Sequence, residues 1–418
     1  MAVIDANDMA IFSFMPTYYM QARKLSYNDV GISWALISVG IIFFAPLVPA
    51  VMGRLGGAAK TYYYGLAMYT LTRVFFCLAD LIPDNESLSY LHANEAIFFF
   101  TGITYAFGEI GCAAWVLSSV GEADRSKAFA KMMEGRTLGA LGGPPLGGAL
   151  YSAGQYFGNA DLGWNLPFLL GGLAMVLLLK FAHGTVFNAD CDEDGRSFGF
   201  EKGNILKSKK VLLTWILNNM ALIPSFFFWT LLQPWLEEQY NFGPWKFGLA
   251  TMVTSLIFIV GAEVAPKLQE KFGTFKVILT SYVFVILSGL CIGPSPLLPF
   301  LPAPSTWSVW LPILGLFIST LCNTAPCAVL LQPLMMKYAE QEGFPESVAA
   351  SQTAMLGVAG MGFMFIAAPF PATFLATTVG TPWASTLGSI VIAAVSILIA
   401  LVLQKEDAKT STDAVSKA

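Results

Sequence analysis

Twelve runs of about 20 mostly apolar residues follow one another along this 418-residue chain. A run of that length crosses the hydrocarbon core of a bilayer as one helix. The candidate spans are roughly 3–21, 30–52, 61–82, 96–119, 137–157, 163–182, 211–235, 246–266, 274–293, 307–331, 347–376 and 382–403. The longest polar break, 183–210, divides them six and six. Composition points the same way. Charged residues make up 12% and hydrophobic residues 56%, against about 25% and 45–50% in soluble domains. So little charge cannot solvate the surface of a soluble protein of this size, which excludes a soluble enzyme and a disordered chain. A net charge of −4 leaves no basic footprint for nucleic acid. The expected fold is an all-α membrane protein of twelve transmembrane helices in two six-helix bundles. Residues 1–182 form the first bundle, 183–210 a cytoplasmic linker, 211–403 the second bundle and 404–418 a polar tail without order.

The basic residues orient the chain, because cytoplasmic loops carry an excess of Lys and Arg. With both termini cytoplasmic, Arg23, Lys24 and Lys246 fall on the opposite side and Arg73 lies inside a span. The other 19 of the 23 basic residues, Arg136 among them, fall in cytoplasmic segments. Asn85-Glu86-Ser87, a glycosylation sequon, then lies on the non-cytoplasmic side. The first span starts at Met1 with no basic segment ahead of it, so no signal peptide is read and a truncated N-terminus is the expectation. The six cysteines include no CxxC pair, and the two histidines, His92 and His183, lie near span ends. No disulfide framework or zinc site is read from them. No nucleophile–base pair or phosphate loop appears, so neither an enzyme nor a cofactor is expected.

The most specific stretch is Gly139-Ala-Leu-Gly-Gly143-Pro144-Pro145-Leu-Gly147-Gly148 in the fifth span. Glycines four apart clear one stripe of a helix, so that a neighbouring backbone can approach closely. Pro144 removes a backbone donor and bends the helix. The stretch matches the antiporter signature gxxxGPxxGG of drug and amine exporters at every fixed position, and from there the chain resembles the vesicular amine and polyamine transporter group of the major facilitator superfamily. Tyr151, Asn165-Leu-Pro-Phe168, Asn219, Gly293-Pro294-Ser-Pro296, Glu340-Gln-Glu-Gly-Phe344 and Asn7-Asp8-Met9 ahead of Pro16 extend the resemblance over nearly the whole chain. It implies two pseudo-repeat bundles around a central site that opens alternately to each side. The second half echoes the first faintly. Ala368-Pro369-Phe-Pro-Ala372 stands in for the glycine–proline motif, and Ala265-Pro266-Lys267 through Gly273 for Ala50 through Gly56. The acid of the superfamily's latch after span two is missing. So are the arginine of span four, where Thr104 or Phe107 stands, and the acid–proline of span seven, where Trp229-Thr230 stands.

Ionisable groups inside a membrane are costly and mark function. Asp5 and Asp8 lie in span one, Arg73 in span three, Glu109 in span four and Glu263 near the cytoplasmic end of span eight. A carboxylate in a cavity can hold either a proton or a cation, the simplest antiport device. Glu109 is read as such a site, with a structural partnership to Arg73 as the alternative. By helix rise, Arg73 is roughly 10 Å and Glu109 roughly 20 Å from the outer face, a gap an arginine bridges only in part. Asp8 sits where the resemblance places the amine site. Asn219, Trp229, Gln233 and Asn323 are candidate cavity-lining residues, Trp229 through a cation–π face. Packing or lipid contact is the plainer reading of Phe226-Phe-Phe-Trp229, and an interfacial charge that of Glu263.

Asp190, Asp192 and Asp194 with Glu201 satisfy the spacing of a calcium-binding loop. Ser197 and Phe198 do not suit it, and no entering helix precedes it, so a solvated acidic linker is the better reading. The sequence therefore indicates a secondary transporter exchanging a small organic cation for protons, acting as a monomer in a lipid bilayer. Vacuole, vesicle and plasma membrane all fit. An exporter of another solute class and a transport-dead receptor or scaffold are the alternatives.

Overall fold

A computed structural model describes every residue except Met1, Ser26, 189–202, Gly243, 303–307 and Ala418. The first six expected spans are α1 (Ala2–Gln21), α2 (Tyr27–Phe44) with α3 (Leu47–Met52), α4 (Ala58–Ala79), α5 (Ser87–Ser118), α6 (Arg125–Phe157) and α7 (Ala160–Asn188). The second six are α8 (Lys209–Tyr240), α9 (Pro244–Phe272), α10 (Thr274–Ile292), α11 (Trp310–Ser319) with α12 (Ala325–Gln341), α13 (Glu346–Ala367) with α14 (Pro369–Val379), and α15 (Thr381–Lys417). Proline explains the breaks. Pro46 separates α2 from α3, and Pro369 opens α14; neither supplies the backbone donor that would continue a helix. Pro326 leaves the carbonyl of Cys322 without its usual donor. The turn widens there into a π-helix, Thr320–Thr324, in which the Ala325 amide donates to the Thr320 carbonyl five residues back.

Seven of the described helices are long and apolar enough to cross a membrane by themselves. α1, α4 and α6 are not among them: α1 carries Asp5 and Asp8, α4 carries Lys60 and Arg73, and α6 opens on Arg125 through Arg136 and continues through the glycines and prolines of 139–148. Leu169, Leu170, Leu173, Val176 and Leu177 of α7 stand exposed, an apolar surface of the kind that faces lipid in a membrane-spanning helix. The tail expected to lack order instead continues α15 to Lys417. Glu406 and Asp407 are ion-paired to Lys209 and Lys210 at 3.0 and 3.7 Å, which holds the helix beyond membrane length.

The chain divides into two compact units. Unit 1 comprises Met1–Val120, Gly135–Gly203 and Pro345–Gly362; unit 2 comprises Gly121–Glu134, Asn204–Phe344 and Phe363–Ala418. Helices α6 and α13 therefore change units along their length. The core of unit 1 is aromatic, with Trp164 packed among Phe14, Tyr18, Phe76, Tyr90 and Phe168. Unit 2 centres on Phe227, Phe228, Leu231, Trp235, Ile292 and Leu316, with a second cluster of Ala130, Ala262, Ala265, Val329 and Leu330. Phe227 and Phe228 are thus packing residues.

Candidate functional site

Close backbone approach builds the site in unit 1. The stripe Gly139, Gly143, Gly147 of α6 lies against Ala2, Ala6 and Ala10 of α1. A Cβ on Gly139 would collide with the Ala2 carbonyl, one on Gly143 would come within 2.9 Å of the Met9 Cβ, and one on Gly147 would come within 2.8 Å of the Ala10 Cα. Small residues four apart on both helices make one seam. A second seam joins α4 to α5, where a Cβ on Gly65 would reach within 2.8 Å of the Gly108 Cα and one on Gly111 within 2.8 Å of the Tyr62 Cα. Glu109 is fixed beside this seam. Gly108 itself faces open space, with nothing within 4 Å of where its Cβ would be. A small cleft there is lined by Ile4, Gly65, Tyr69, Thr104, Tyr105, Gly108 and Glu109.

Two ionic groupings meet along α1. Arg73 pairs with Asp8 at 3.0 Å, and the Tyr69 hydroxyl donates to the same Asp8 oxygen at 2.5 Å. The Arg73 guanidinium lies 4.2 Å from the Tyr69 ring centre, with Phe76 and Phe168 at 5.7 and 5.9 Å. One turn along, Arg136 contacts Glu109 at 3.1 Å and Asp5 at 3.6 Å, and donates to the Tyr105 hydroxyl at 2.6 Å. Tyr105 donates in turn to Asp5 at 3.5 Å, and the Met361 sulfur lies 3.8 Å from Arg136. Asp5, Arg73 and Glu109 are 5%, 1% and 2% exposed. Ions this deep persist only when paired. Asp5 Oδ2, Glu109 Oε1, and Arg73 Nε and Nη1 are nevertheless buried with no hydrogen-bond partner among the described residues.

The separate depths of Arg73 and Glu109, which spoke against a contact between them, agree with the geometry, and the assignment of Arg136 changes. Glu109 is partnered by Arg136 and not by Arg73. Arg136 is no loop residue: α6 begins eleven residues before it, and the seam against α1 turns its side chain inward. Counting it among the cytoplasmic charges of Lys127 and Lys131 concealed this. Its position three residues before Gly139, in register with the stripe, was the signal available. Arg23 is likewise buried. It binds Asp80 at 2.7 Å and the Ile82 carbonyl at 2.8 Å, and its guanidinium lies 4.2 Å from the Tyr90 ring centre. The Tyr18 hydroxyl contacts Asp80 and, at 3.0 Å, Asp161, while Asn165 donates to Asp80 at 2.6 Å. This cluster ties the ends of α1, α4 and α7.

Unit 2 places neutral groups in its interior. Asn219 donates to the Trp215 carbonyl at 2.9 Å, Asn323 points at the Cys327 sulfur at 3.8 Å, and Ser225 and Thr324 share a 2.8 Å bond between α8 and the π-helix. The side-chain oxygens of Asn219 and Asn323 are buried and unpartnered among the described residues. The side chains of Trp229 and Gln233 lie outside the described residues, as does 189–202 with Asp190, Asp192, Asp194 and Glu201. Glu263 is 42% exposed and pairs with Lys131, as an interfacial charge would. Lys127 pairs with Glu270 at 2.9 Å, and that hydrogen bond raises its pKa. Arg125 meets Glu340 with both terminal nitrogens, at 2.7 and 2.9 Å.

Residues 1–368 match the family model of the Major Facilitator Superfamily. The chain is 22% identical over 364 residues to the MFS-type transporter SLC18B1 of Homo sapiens, covering 83% of this chain and 73% of that one. It is also 22% identical over 271 residues to the synaptic vesicular amine transporter of Rattus norvegicus, covering 63% of this chain and 48% of that one. Among solved structures, a bacterial homologue of the iron transporter ferroportin superposes with a TM-score of 0.74 at 12% identity, over 97% of both chains. At that identity the superposition speaks to fold alone.

Proposed function

The chain belongs to the Major Facilitator Superfamily, and from that premise, which makes it a multi-pass membrane transporter of a small molecule, we propose that it exchanges a small organic cation for protons by alternating access. The charge count in the interior of unit 1 carries this reading. Asp5, Asp8 and Glu109 face Arg73 and Arg136, three carboxylates against two guanidinium groups. Among the described side chains one carboxylate is in excess. An uncompensated charge in a low-dielectric interior is costly, so the network holds either a proton or an ammonium there. The two compete for one charge, which is the requirement for exchange. Asp8 is committed to Arg73. The exchangeable charge therefore belongs to Glu109 and Asp5, which share Arg136.

The glycine–proline helix serves the same end. Gly139, Gly143, Gly147 and Pro144, with Gly148 beside them, keep α6 against α1, so Arg136 and Asp5 move together. Within unit 2, Asn219, Asn323, Trp229 and Gln233 are proposed as substrate-contacting residues. Both termini are proposed to face the cytoplasm, and the working unit to be a monomer. The amine transporter among the relatives is in keeping with a cationic substrate.

The test is uptake into proteoliposomes with an imposed pH gradient, using labelled amines, polyamines and neutral drugs. Wild type is expected to accumulate cations in proportion to the gradient. Glu109→Gln and Asp5→Asn each remove the excess charge and should abolish the gradient dependence. Asp8→Asn should instead impair folding or binding by leaving Arg73 unpaired. Uptake that ignores the gradient in wild type, or stays gradient-driven in both Glu109→Gln and Asp5→Asn, would sink the assignment.

A further inference from the structure

We infer that the substrate is a monovalent cation with a neutral oxygen acceptor at its far end, its ammonium seated at Glu109 and Asp5 and its acceptor on the unpaired N–H groups of Arg73. The inference rests on the cation reading above and deepens it. Arg73 is 1% exposed and sits over the Tyr69 ring, yet among the described residues only its Nη2 is engaged, by Asp8 at 3.0 Å. Nε and Nη1 are buried with nothing to receive them among the described residues. Arginine offers five N–H donors, and burying them unmet is unfavourable. The charge of Arg73 is already balanced by Asp8. What is missing at this end is an acceptor and not a second anion.

The other end has the opposite need. Glu109 Oε1 and Asp5 Oδ2 are buried acceptors without donors among the described residues, and the side chains of Asp5, Glu109 and Arg136 together carry one negative charge. What is missing there is a donor bearing one positive charge. A zwitterion would leave the network's excess charge in place, and a diamine would set its second ammonium against Arg73. Only a monocation with an uncharged acceptor meets both demands.

Spacing sets the length of such a molecule. Asp5 and Asp8 are three residues apart on α1, about 4.5 Å of helix rise. On α4, Gly65 touches Gly108 beside Glu109, two turns before Arg73, or about 12 Å. The charged nitrogen and the acceptor should thus lie roughly 5–12 Å apart. Tyr69 joins the two ends, since it lines the cleft at Glu109 and stacks on Arg73.

The experiment compares three probes in proteoliposomes of the full chain under a pH gradient: N-acetylputrescine, pentylamine and putrescine. N-acetylputrescine carries one ammonium and an amide oxygen at the required distance; pentylamine lacks the acceptor and putrescine adds a charge. Wild type should favour N-acetylputrescine over each by on the order of tenfold in kcat/KM, the size expected for one charged hydrogen bond. Arg73→Lys keeps the charge but loses Nε and the planar fork. It should cut the ratio of N-acetylputrescine to pentylamine about tenfold. The ratio is read so that a general loss of turnover cancels. Asp8→Asn combined with Arg73→Met removes the donors without stranding a charge, and should reduce the ratio equally if Arg73→Lys fails to fold. Equal handling of all three probes by wild type, or a ratio unchanged in either variant, overturns this inference while leaving cation exchange intact. No gradient-driven uptake of any probe by folded wild type overturns cation exchange, and this inference with it.

Discussion

In unit 1 the interior polar groups around the cleft are ions: Asp5, Asp8, Arg73, Glu109 and Arg136, joined through Tyr69 and Tyr105. In unit 2 they are amides and hydroxyls: Asn219, Ser225, Asn323 and Thr324. The buried charged residues described in unit 2, Arg125 and Lys210, sit in the first turns of α6 and α8, at helix ends. The two halves of a repeat fold have therefore divided the chemistry. Under the exchange proposed above, one interior would change its charge with proton or cation occupancy, while the other offers hydrogen bonds that titration does not touch. The backbones differ correspondingly. Unit 1 fixes its ions by two glycine seams, and unit 2 loosens a helix into the π-turn at Asn323, a distortion often found at functional sites.

Removing the keystone cation of unit 1 should have the largest effect. Arg136→Met leaves Asp5 and Glu109 facing each other without a counter-charge. Breaking a buried ion pair in this way costs about 3–5 kcal/mol, and a fall of several degrees in Tm in detergent is expected. Adding Asp5→Asn and Glu109→Gln removes the stranded charges. The triple variant should recover most of the lost stability, because a neutral replacement of a buried ionic group is often harmless, yet show no pH-driven uptake. A triple variant as unstable as Arg136→Met would mean that the network is chiefly structural.

The seam beneath the network comes next. Gly143→Val drives a side chain into the Ala6–Ala10 backbone of α1. Overpacking of this kind costs about 1–3 kcal/mol. It should also part Asp5 from Arg136, so uptake should weaken more than stability does. Gly142→Ala meets only the end of the Leu146 side chain at 3.9 Å and should be tolerated. Equal tolerance of both would remove the seam from the account.

These contrasts were unevenly legible in the sequence. The helices could be read from apolar runs because span length is set by bilayer thickness. The α6 stripe could be read because glycine four apart is conspicuous. Its partner could not: Ala2, Ala6 and Ala10 have the same spacing, but alanine in an apolar run carries no contrast. Depth alone kept Arg73 from Glu109, which agrees with their separate partners, but it could not name those partners. The pairing of Glu109 with Arg136 depends on which faces of α5 and α6 meet, and a helix start placed twelve residues too late hid Arg136 among solvated lysines. The tail misled for a related reason. Lys405 through Ala418 is largely polar, and its helix draws on ion pairs to Lys209 and Lys210 nearly 200 residues earlier.

The smallest effect belongs to unit 2, and it sharpens the comparison most directly. Ser225→Ala removes the 2.8 Å hydrogen bond to Thr324 that fastens α8 to the π-turn. One neutral hydrogen bond contributes about 0.5–1.5 kcal/mol, so the fall in Tm should be slight. Freed from Ser225, the turn can shift register and move Asn323, so substrate KM is expected to rise a few-fold. The pH dependence of uptake should keep its midpoint, because neither hydroxyl carries charge at any pH used and the groups proposed to titrate lie in unit 1. Glu109→Gln should do the reverse, abolishing the pH dependence with little cost in stability, since its amide oxygen can still accept from Arg136. A midpoint displaced by Ser225→Ala as strongly as by Glu109→Gln would show that coupling charge is not confined to unit 1, and the division of labour between the two interiors would have to be abandoned.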